Sequence, residues 1–256
     1  MNSRPDPYSR LDYRRLIAWP RRITREWPLL EAIISSGPSR RLLDLGCGTG
    51  EHARFIASKG FEVVAVDMSA SMIEKATDKP VPENLRFVHG DMRELQEVID
   101  GSFGAAICLG NTLPHLWEKQ DLRRLLKGLN SRLLPGAPFL LQILNYERIL
   151  STGERSLPMN FRPDPEGDGE LVFLRLMEPC EDGKVIFCPT TLRYRPSCDP
   201  PVELHHSRRV ELRGWRRADL KPLLRAAGFH DLVWHGCFDG MPYEPLESHD
   251  LIVIAR

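Results

Sequence analysis

The chain has 256 residues, of which 42% are hydrophobic and 27% charged, which is enough apolar material to bury a large core. Lysine plus arginine and aspartate plus glutamate number 35 each, so the basic surplus typical of nucleic-acid-binding proteins is absent. No apolar run approaches the ~20 residues of a membrane span, and the N-terminus lacks the apolar core of a secretory signal. The composition predicts a cytoplasmic protein with no nucleic-acid or membrane partner.

The six cysteines include no CxxC pair and indicate free thiols in a reducing compartment. A zinc site can be imagined from one group of thiols and imidazoles, which consists of Cys180, Cys188, Cys198, His205 and His206. Their separations are much wider than those of zinc knuckles, and they alternate with strand-like residues. We therefore predict no metal.

Residues 8–36 have a helical pattern that Pro20 and Pro28 should break into short pieces. We assign residues 1–40 to an N-terminal helical lid. From residue 41 short apolar strands alternate with helices, which is typical of a parallel sheet covered by helices on both faces. In this core, 41–150, the predicted strands are 42–45, 62–66, 85–88, 105–109 and 139–144, and the predicted helices are 51–58, 71–76 and 120–134.

Between residues 151 and 212 strand-like runs follow one another without helices, and we interpret this segment as a small antiparallel insert. Prolines and glycines from 158 to 169 predict a loop, and the turn Glu181-Asp182-Gly183-Lys184 predicts a hairpin. The expected strands are 171–177, 184–188, 191–195 and 202–212. Residues 213–256 complete the core with a helix at 218–227 and strands at 232–237 and 250–255.

A buried strand leads into the turn Leu45-Gly46-Cys47-Gly48-Thr49-Gly50, and a helix follows. Glycines there let the backbone bend sharply and approach a ligand where a Cβ would collide. Dinucleotide sites space their glycines GxGxxG, so that a pyrophosphate meets the helix N-terminus. Here the spacing is GxGxG, and Glu51 at the helix start would repel a phosphate. The turn therefore favours a cofactor without phosphate.

Two carboxylates extend the predicted site. Asp67 closes the second strand, where it can accept the hydroxyl protons of a ribose. Asp91 ends the third strand, where the edge of an adenine would lie. Together these positions favour a nucleoside with an amino-acid tail. The alternative role for Asp67 is to cap the helix that follows it.

The runs Leu42–Gly50, Val63–Ala76, Phe87–Met92 and Phe103–Leu116 resemble the successive motifs of class I S-adenosylmethionine-dependent methyltransferases. The likeness is dense over residues 19–150. It implies an α/β fold with a Rossmann-like seven-stranded, mostly parallel sheet, helices on both faces and the small antiparallel β insert over the acceptor site. It also implies S-adenosylmethionine as cofactor and S-adenosylhomocysteine as product.

Within that family, Cys108–Leu116 and Asn145–Gly153 look most similar to glycine N-methyltransferase and its bacterial small-molecule relatives. The resemblance places the glycines against the methionine moiety, Asp67 on the ribose, and Asp91 and Met92 beside the adenine. Trp19, Arg22 and Glu26 match a segment whose arginine meets the cofactor carboxylate in those relatives. The predicted cofactor-binding residues are Trp19, Arg22, Leu45, Gly46, Cys47, Gly48, Gly50, Asp67, Met68, Asp91, Met92, Leu109 and His115.

One departure concerns the acceptor. The glycine enzyme has an arginine immediately before its Asn-Tyr pair, and that arginine holds the substrate carboxylate. The residue here is Leu144. We therefore expect an uncharged or differently anchored acceptor instead of glycine.

The candidates for catalysis are Asn111, His115, Tyr146 and Tyr243. An amine acceptor must arrive unprotonated but needs no strong base, whereas a hydroxyl needs proton removal. Asn111 can hold an amine through its carbonyl oxygen, and His115 can either serve a hydroxyl as base or orient the cofactor. The two tyrosines are expected to line the acceptor pocket. We predict methyl transfer to a small-molecule amine.

Three alternatives remain open at this point. They are a small-molecule O-methyltransferase, a cofactor-binding protein without turnover, and an RNA or protein methyltransferase suggested by arginines near the N-terminus. Zero net charge disfavours RNA. The sequence does not decide between a monomer and a homo-oligomer.

Overall fold

The computed structural model describes residues 13–256, so the first part of the predicted N-terminal segment lies outside the described residues. The strands in chain order are β1 (Arg41–Leu45), β2 (Glu62–Asp67), β3 (Leu85–His89), β4 (Ala105–Cys108), β5 (Phe139–Leu144), β6 (Ser156–Pro163), β7 (Glu170–Pro179), β8 (Lys184–Tyr194), β9 (Val202–Ser207), β10 (Val210–Arg213), β11 (Leu232–His235) and β12 (Asp250–Ala255). Seven of them form one sheet in the order β11-β12-β5-β4-β1-β2-β3. β12 runs antiparallel to both of its neighbours, and the other pairs are parallel. This confirms the predicted mostly parallel sheet.

The helices are α1 (Tyr13–Leu16), α2 (Trp19–Ser35), α3 (Glu51–Ser58), α4 (Ala70–Ala76), α5 (Leu95–Val98), α6 (Lys119–Arg132), α7 (Tyr146–Thr152) and α8 (Arg217–Ala226), with short 3-10 helices at Met92–Glu94 and Leu113–His115. Alternate residues of β1 enter different apolar clusters: Leu43 and Leu45 one, Leu42 the other. Because both faces of the sheet are covered, its central strands are almost wholly apolar. None of these helices is long and apolar enough to cross a membrane.

The remaining strands form the antiparallel insert, in the order β10-β8-β7-β6, with β9 also paired to β8. β10 lies beside the first part of β8 and β9 beside its second part. Met177 and Val185 join the apolar cluster of the core. At the other end of the insert, Leu171 and Phe173 pack against Leu16 of α1. The insert is thus seated on the core and on the N-terminal segment together.

The prediction that Pro28 breaks the N-terminal helix is wrong. The chain interrupts its helix at residues 17–18 instead, and Pro20 lies in the first turn of α2, where its missing amide hydrogen has no intrahelical partner to lose. Pro28 stays inside α2, whose buried residues include Glu26 and Leu30. Tertiary packing of this face outweighs the loss of one backbone hydrogen bond.

The predicted loop at 158–169 is wrong over its first half, which forms the edge strand β6. Its register shifts between Leu157 and Asn160, and prolines are tolerated at such edges and bulges. The strands predicted at 184–188 and 191–195 are one strand. The carbonyl of Pro189 accepts the Arg208 amide, so the missing amide hydrogen of Pro189 faces the gap between β9 and β10. The strand predicted at 202–212 divides at that gap.

Candidate cofactor and acceptor site

The glycine loop, residues 45–50, is held in a tight turn at the carboxyl end of β1. The amides of Gly46 and Cys47 both donate to the carbonyl of Val66, at 2.7 and 3.1 Å. A Cβ on Gly46 would lie 2.2 Å from Thr112, and one on Gly50 would lie 2.6 Å from Phe87, whereas one on Gly48 would meet nothing within 4 Å. Two glycines therefore permit close packing, and Gly48 borders open space that a ligand can approach.

Asp67 ties the glycine loop to the end of β2. Its Oδ2 accepts the Gly48 amide at 2.8 Å, and its Oδ1 accepts the Ser69 amide at 2.9 Å. The cap of α4 is Ser69 itself, whose Oγ accepts the Met72 amide. A carboxylate offers about four lone-pair positions, so Asp67 can serve the loop and α4 and still be a candidate acceptor for ribose hydroxyls.

Two buried polar atoms have no hydrogen-bond partner within the described residues: Asp44 Oδ2, directly before the loop in the chain, and Trp19 Nε1, whose ring contacts that of His52 in α3. Burial, together with the nearby charge of Asp67, raises the pKa of Asp44 to about 7. A buried unpaired carboxylate is costly, and a ligand cation would compensate it. S-adenosylmethionine carries an ammonium and a sulfonium, so this acidic site fits that cofactor better than a phosphate-bearing one.

Arg22 is part of a buried network that joins α2 to α3. Its Nε donates to Glu26 Oε1 at 2.8 Å, and Glu26 Oε2 lies 2.7 Å from His52 Nε2. Burial opposes the charge of Glu26, but the hydrogen bonds from His52 and Arg22 outweigh it and lower the pKa of Glu26. Burial lowers the pKa of His52, so a neutral imidazole faces an ionised carboxylate. The network holds the arginine near Gly110, at the end of β4.

The other predicted cofactor residues differ in how much of their surface is exposed to a ligand. Met68 is 59% exposed and can contact an adenine, whereas Met92, Leu45 and Leu109 are buried. The carboxylate of Asp91 accepts the Arg93 amide and guanidinium at 2.6–3.0 Å. An adenine that bonded to Asp91 would therefore share the carboxylate with Arg93. Burial raises the pKa of the Cys47 thiol, which keeps it protonated in the loop.

Asn111 and Tyr146, two of the predicted acceptor residues, come together at the end of β4. Asn111 Nδ2 donates to the Tyr146 hydroxyl at 2.9 Å, and Asn111 Oδ1 accepts the Leu144 amide at 3.0 Å. Asn111 has φ 65°, a left-handed conformation that asparagine adopts more readily than most residues. Tyr146 is fully buried, and its hydroxyl is bonded to Asn111, so it can act on an acceptor only through that side chain.

Tyr243 bonds to a different asparagine in this region, Asn145. Its hydroxyl donates to Asn145 Oδ1 at 2.7 Å, and Asn145 Nδ2 donates to the carbonyls of Pro245 and Ser248. Asn145 also caps α7 through the Arg148 amide. The bonds of Tyr243 connect the final loop to the start of α7, and only 5% of the residue is exposed.

His115 ends the 3-10 helix that follows Asn111. Burial lowers the pKa of His115 to about 4, so the imidazole is neutral at physiological pH. General-base catalysis is most effective when the pKa lies near the working pH. His115 is therefore poorly suited to deprotonating a hydroxyl and well suited to orienting a ligand.

The depressed pKa of His115 predicts a pH-dependent stability. Between the unfolded value of about 6.5 and the folded value of about 4, the unfolded chain binds more protons. The free energy of unfolding should thus fall as the pH is lowered through this window, by at most about 3 kcal/mol for this group. Urea unfolding of wild type and His115→Asn at several pH values measures the difference. The exposed His230→Asn is the control, and equal slopes for all three proteins would refute the assignment.

Three residues of the site were not identified from the sequence. The sequence does mark Asp44, because it is an acid among the buried leucines of β1. Gln142 also interrupts an apolar strand; its Oε1 accepts the Gly110 amide at 2.8 Å and holds the turn before Asn111. Nothing in the sequence around Arg14 indicates that it belongs to the site. It donates to Glu51 at 2.6 Å, so the repulsion of a phosphate by Glu51 is weaker than the sequence alone suggests.

Comparison with known proteins gives the same assignment. A family model described as a methyltransferase domain matches residues 42–136. A glycine/sarcosine N-methyltransferase of Aphanothece halophytica is 29% identical over 225 residues, covering 87% of this chain and 78% of that protein. The enzyme of the same name from Halorhodospira halochloris is 36% identical over 140 residues, covering 54% of this chain and 52% of that protein. The chain thus spans about half the length of this second relative.

Solved structures share the fold over nearly the whole chain. A S-adenosylmethionine-dependent methyltransferase from Clostridium acetobutylicum has a TM-score of 0.70 at 19% identity, covering 97% of this chain and 95% of that one. The SAM-bound amino pentose methyltransferase CalS10 from Micromonospora echinaspora has a TM-score of 0.70 at 19% identity, covering 100% and 99%. With the glycine loop, Asp67 and the sheet order in place, residues 42–136 match a methyltransferase domain, and the chain resembles the class I S-adenosylmethionine-dependent methyltransferases, the glycine N-methyltransferases among them.

Proposed function

We propose that this protein transfers the methyl group of S-adenosylmethionine to the nitrogen of a small-molecule amine. The observation that carries the choice of nitrogen is the likeness to N-methyltransferases, and the burial that lowers the pKa of His115 to about 4 agrees with it. An amine that arrives unprotonated needs no strong base, whereas a hydroxyl acceptor would depend on one. Names of relatives support the same choice, since they are N-methyltransferases of glycine and sarcosine.

The residues of the glycine loop and its surroundings would hold the cofactor. Gly46 and Gly48 would border its methionine part, Asp67 would accept ribose hydroxyls, and Asp44 would face its cationic end. Trp19 Nε1 and the Arg22 guanidinium would bind the carboxylate, with residues 1–40 as a lid. The bound cofactor supplies an electrophilic methyl group on a sulfonium. The protein's task is to align the acceptor and to exclude water.

The Asn111–Tyr146 pair would position the acceptor. Asn111 Oδ1 accepts the Leu144 amide at 3.0 Å and the Tyr146 hydroxyl at 3.2 Å, and it would accept a hydrogen from the amine in place of the one from Tyr146. The amide is itself oriented by the buried Tyr146 hydroxyl. Leu144 stands where the glycine enzymes have a carboxylate-binding arginine, so we propose an amine other than glycine beneath the insert, 151–212.

Two N-terminal arginines that could suggest an RNA substrate make bonds within the protein. Arg14 pairs with Glu51 and Asp78, and Arg22 pairs with Glu26. Their charges are therefore balanced locally and do not form a basic surface. All six cysteines are free thiols, which supports our placement of the protein in a reducing cytoplasm.

Methyl-labelled S-adenosylmethionine tests the proposal directly. Purified protein is incubated with panels of small amines and of matched alcohols, and label in the products is measured. Labelled amine products with no labelled ethers are the expected result. Ether products would establish O-methylation instead, and tight cofactor binding with no product across both panels and a cell extract would favour a binding protein without turnover.

A further inference from the structure

The one-turn helix α1 contacts both the glycine loop and the insert. Arg14 Nε donates to Glu51 Oε1 at 2.6 Å, and Arg14 Nη2 donates to the carbonyl of Thr49 at 3.1 Å. Two residues later, the buried Leu16 packs against Leu171 and Phe173 of β7. A single turn of helix therefore connects the loop that would hold the cofactor to the sheet that would cover the acceptor.

The same guanidinium reaches the second βα unit of the site. Arg14 Nη2 donates to the carbonyl of Lys75 at 2.7 Å, and Nη1 donates to Asp78 Oδ2 at 2.7 Å. Lys75 lies in the last turn of α4, which follows Asp67 along the chain. The first and second βα units are thus joined once through the Gly48–Asp67 bond and again through Arg14.

The low exposure and the charges of Arg14 and Glu51 favour a strong hydrogen bond between them. The Arg14 and Glu51 side chains are only 21% and 14% exposed, and hydrogen bonds between ionised groups are stronger than those between neutral ones. The Thr49 hydroxyl also donates to Glu51 Oε2, which closes a ring of hydrogen bonds around the end of the glycine loop. Removal of Arg14 would leave Glu51 as an unbalanced charge beside this loop.

We propose that Arg14 is a positioning residue that holds the glycine loop and α4 in the cofactor-binding arrangement, and that α1 couples this arrangement to the insert. The proposal rests on S-adenosylmethionine binding at this loop, as in the proposed function. Because Leu16 seats α1 on β7, cofactor exchange is coupled to the insert.

Stopped-flow measurement of S-adenosylhomocysteine dissociation from the full chain tests this mechanism. Arg14→Ala should accelerate dissociation about tenfold with a much smaller effect on association. Glu51→Gln should act in the same direction, and Arg14→Lys should give an intermediate rate because one cation remains. Leu16→Ala should also accelerate dissociation, although Leu16 packs on the insert. Arg21→Ala, an exposed arginine of α2, is the matched control and should stay within twofold of wild type.

Thermal unfolding of each protein without cofactor separates positioning from folding. Variants that lose stability but keep the wild-type dissociation rate would overturn the proposal, as would equal acceleration by Arg14→Ala and Arg21→Ala. An unchanged rate in Leu16→Ala would overturn the coupling to the insert. A wild-type chain that binds neither S-adenosylmethionine nor S-adenosylhomocysteine would refute the proposed function, and that outcome is recognised before any variant is compared.

Discussion

Replacement of Asp67 by alanine should weaken S-adenosylmethionine binding about hundredfold. The carboxylate accepts the amides of Gly48 and Ser69, so its loss removes the bond that shapes the loop as well as the expected ribose contact. Hydrogen bonds to charged groups contribute about 1.5–3 kcal/mol each, and about 1.4 kcal/mol corresponds to a tenfold change in affinity. Isothermal titration calorimetry with the cofactor measures the change.

Two further variants make this result specific. Asp67→Asn keeps the shape and one acceptor oxygen, and it should fall between alanine and wild type. Asp100→Asn changes an exposed carboxylate outside the site and should leave the affinity unaltered. If Asp67→Ala binds the cofactor within threefold of wild type, the ribose role is wrong.

Replacement of Asn111 by glycine should lower kcat by about a hundredfold or more, which corresponds to about 3 kcal/mol of transition-state stabilisation. Cofactor affinity should change less than threefold. Glycine adopts the observed φ of 65° without strain, so this variant removes the amide group and keeps the backbone. The side chain would otherwise position the acceptor, and its loss should appear in turnover, measured with the best amine from the label-transfer panel.

Asn111→Ala distinguishes the effect of losing the amide group from the effect of straining the backbone. Alanine also lacks the amide, but the left-handed conformation costs it about 1 kcal/mol, so Asn111→Ala should be less stable than Asn111→Gly at equal loss of turnover. Tyr146→Phe, which keeps Asn111 but removes its hydroxyl partner, should lower kcat by less. Normal turnover in Asn111→Gly would show that another group holds the acceptor.

The α/β core could be predicted because each of its elements has a local signature. Strands such as β1 and β5 are buried on both faces and therefore form short apolar runs. The glycine spacing and the position of Asp67 can likewise be recognised from neighbouring residues in the sequence. They follow their strands directly, and the carboxyl ends of parallel strands meet at one edge of the sheet.

The insert and parts of the site depend on contacts that no local pattern encodes. β6 was predicted as a loop because its prolines are compatible with a strand only at an edge with a shifted register. Arg14 and Glu51 are separated by 37 positions in the chain, so their pairing follows only from the packing of α1. The pKa of His115 depends on burial, which its neighbours in sequence do not reveal.

The position of β12 has a consequence for how the protein is made. β12 follows the whole insert in the chain, yet it lies inside the sheet between β5 and β11, where Asp250 pairs with Leu144 and Ala255 with Phe139. Until these residues leave the ribosome, β5 has an unpaired edge of backbone amides along a strand that is apolar except for Gln142, a surface that promotes association between chains. Deletion of residues 250–256 should therefore yield aggregated protein, whereas changes to the exposed edge at β3 should be better tolerated.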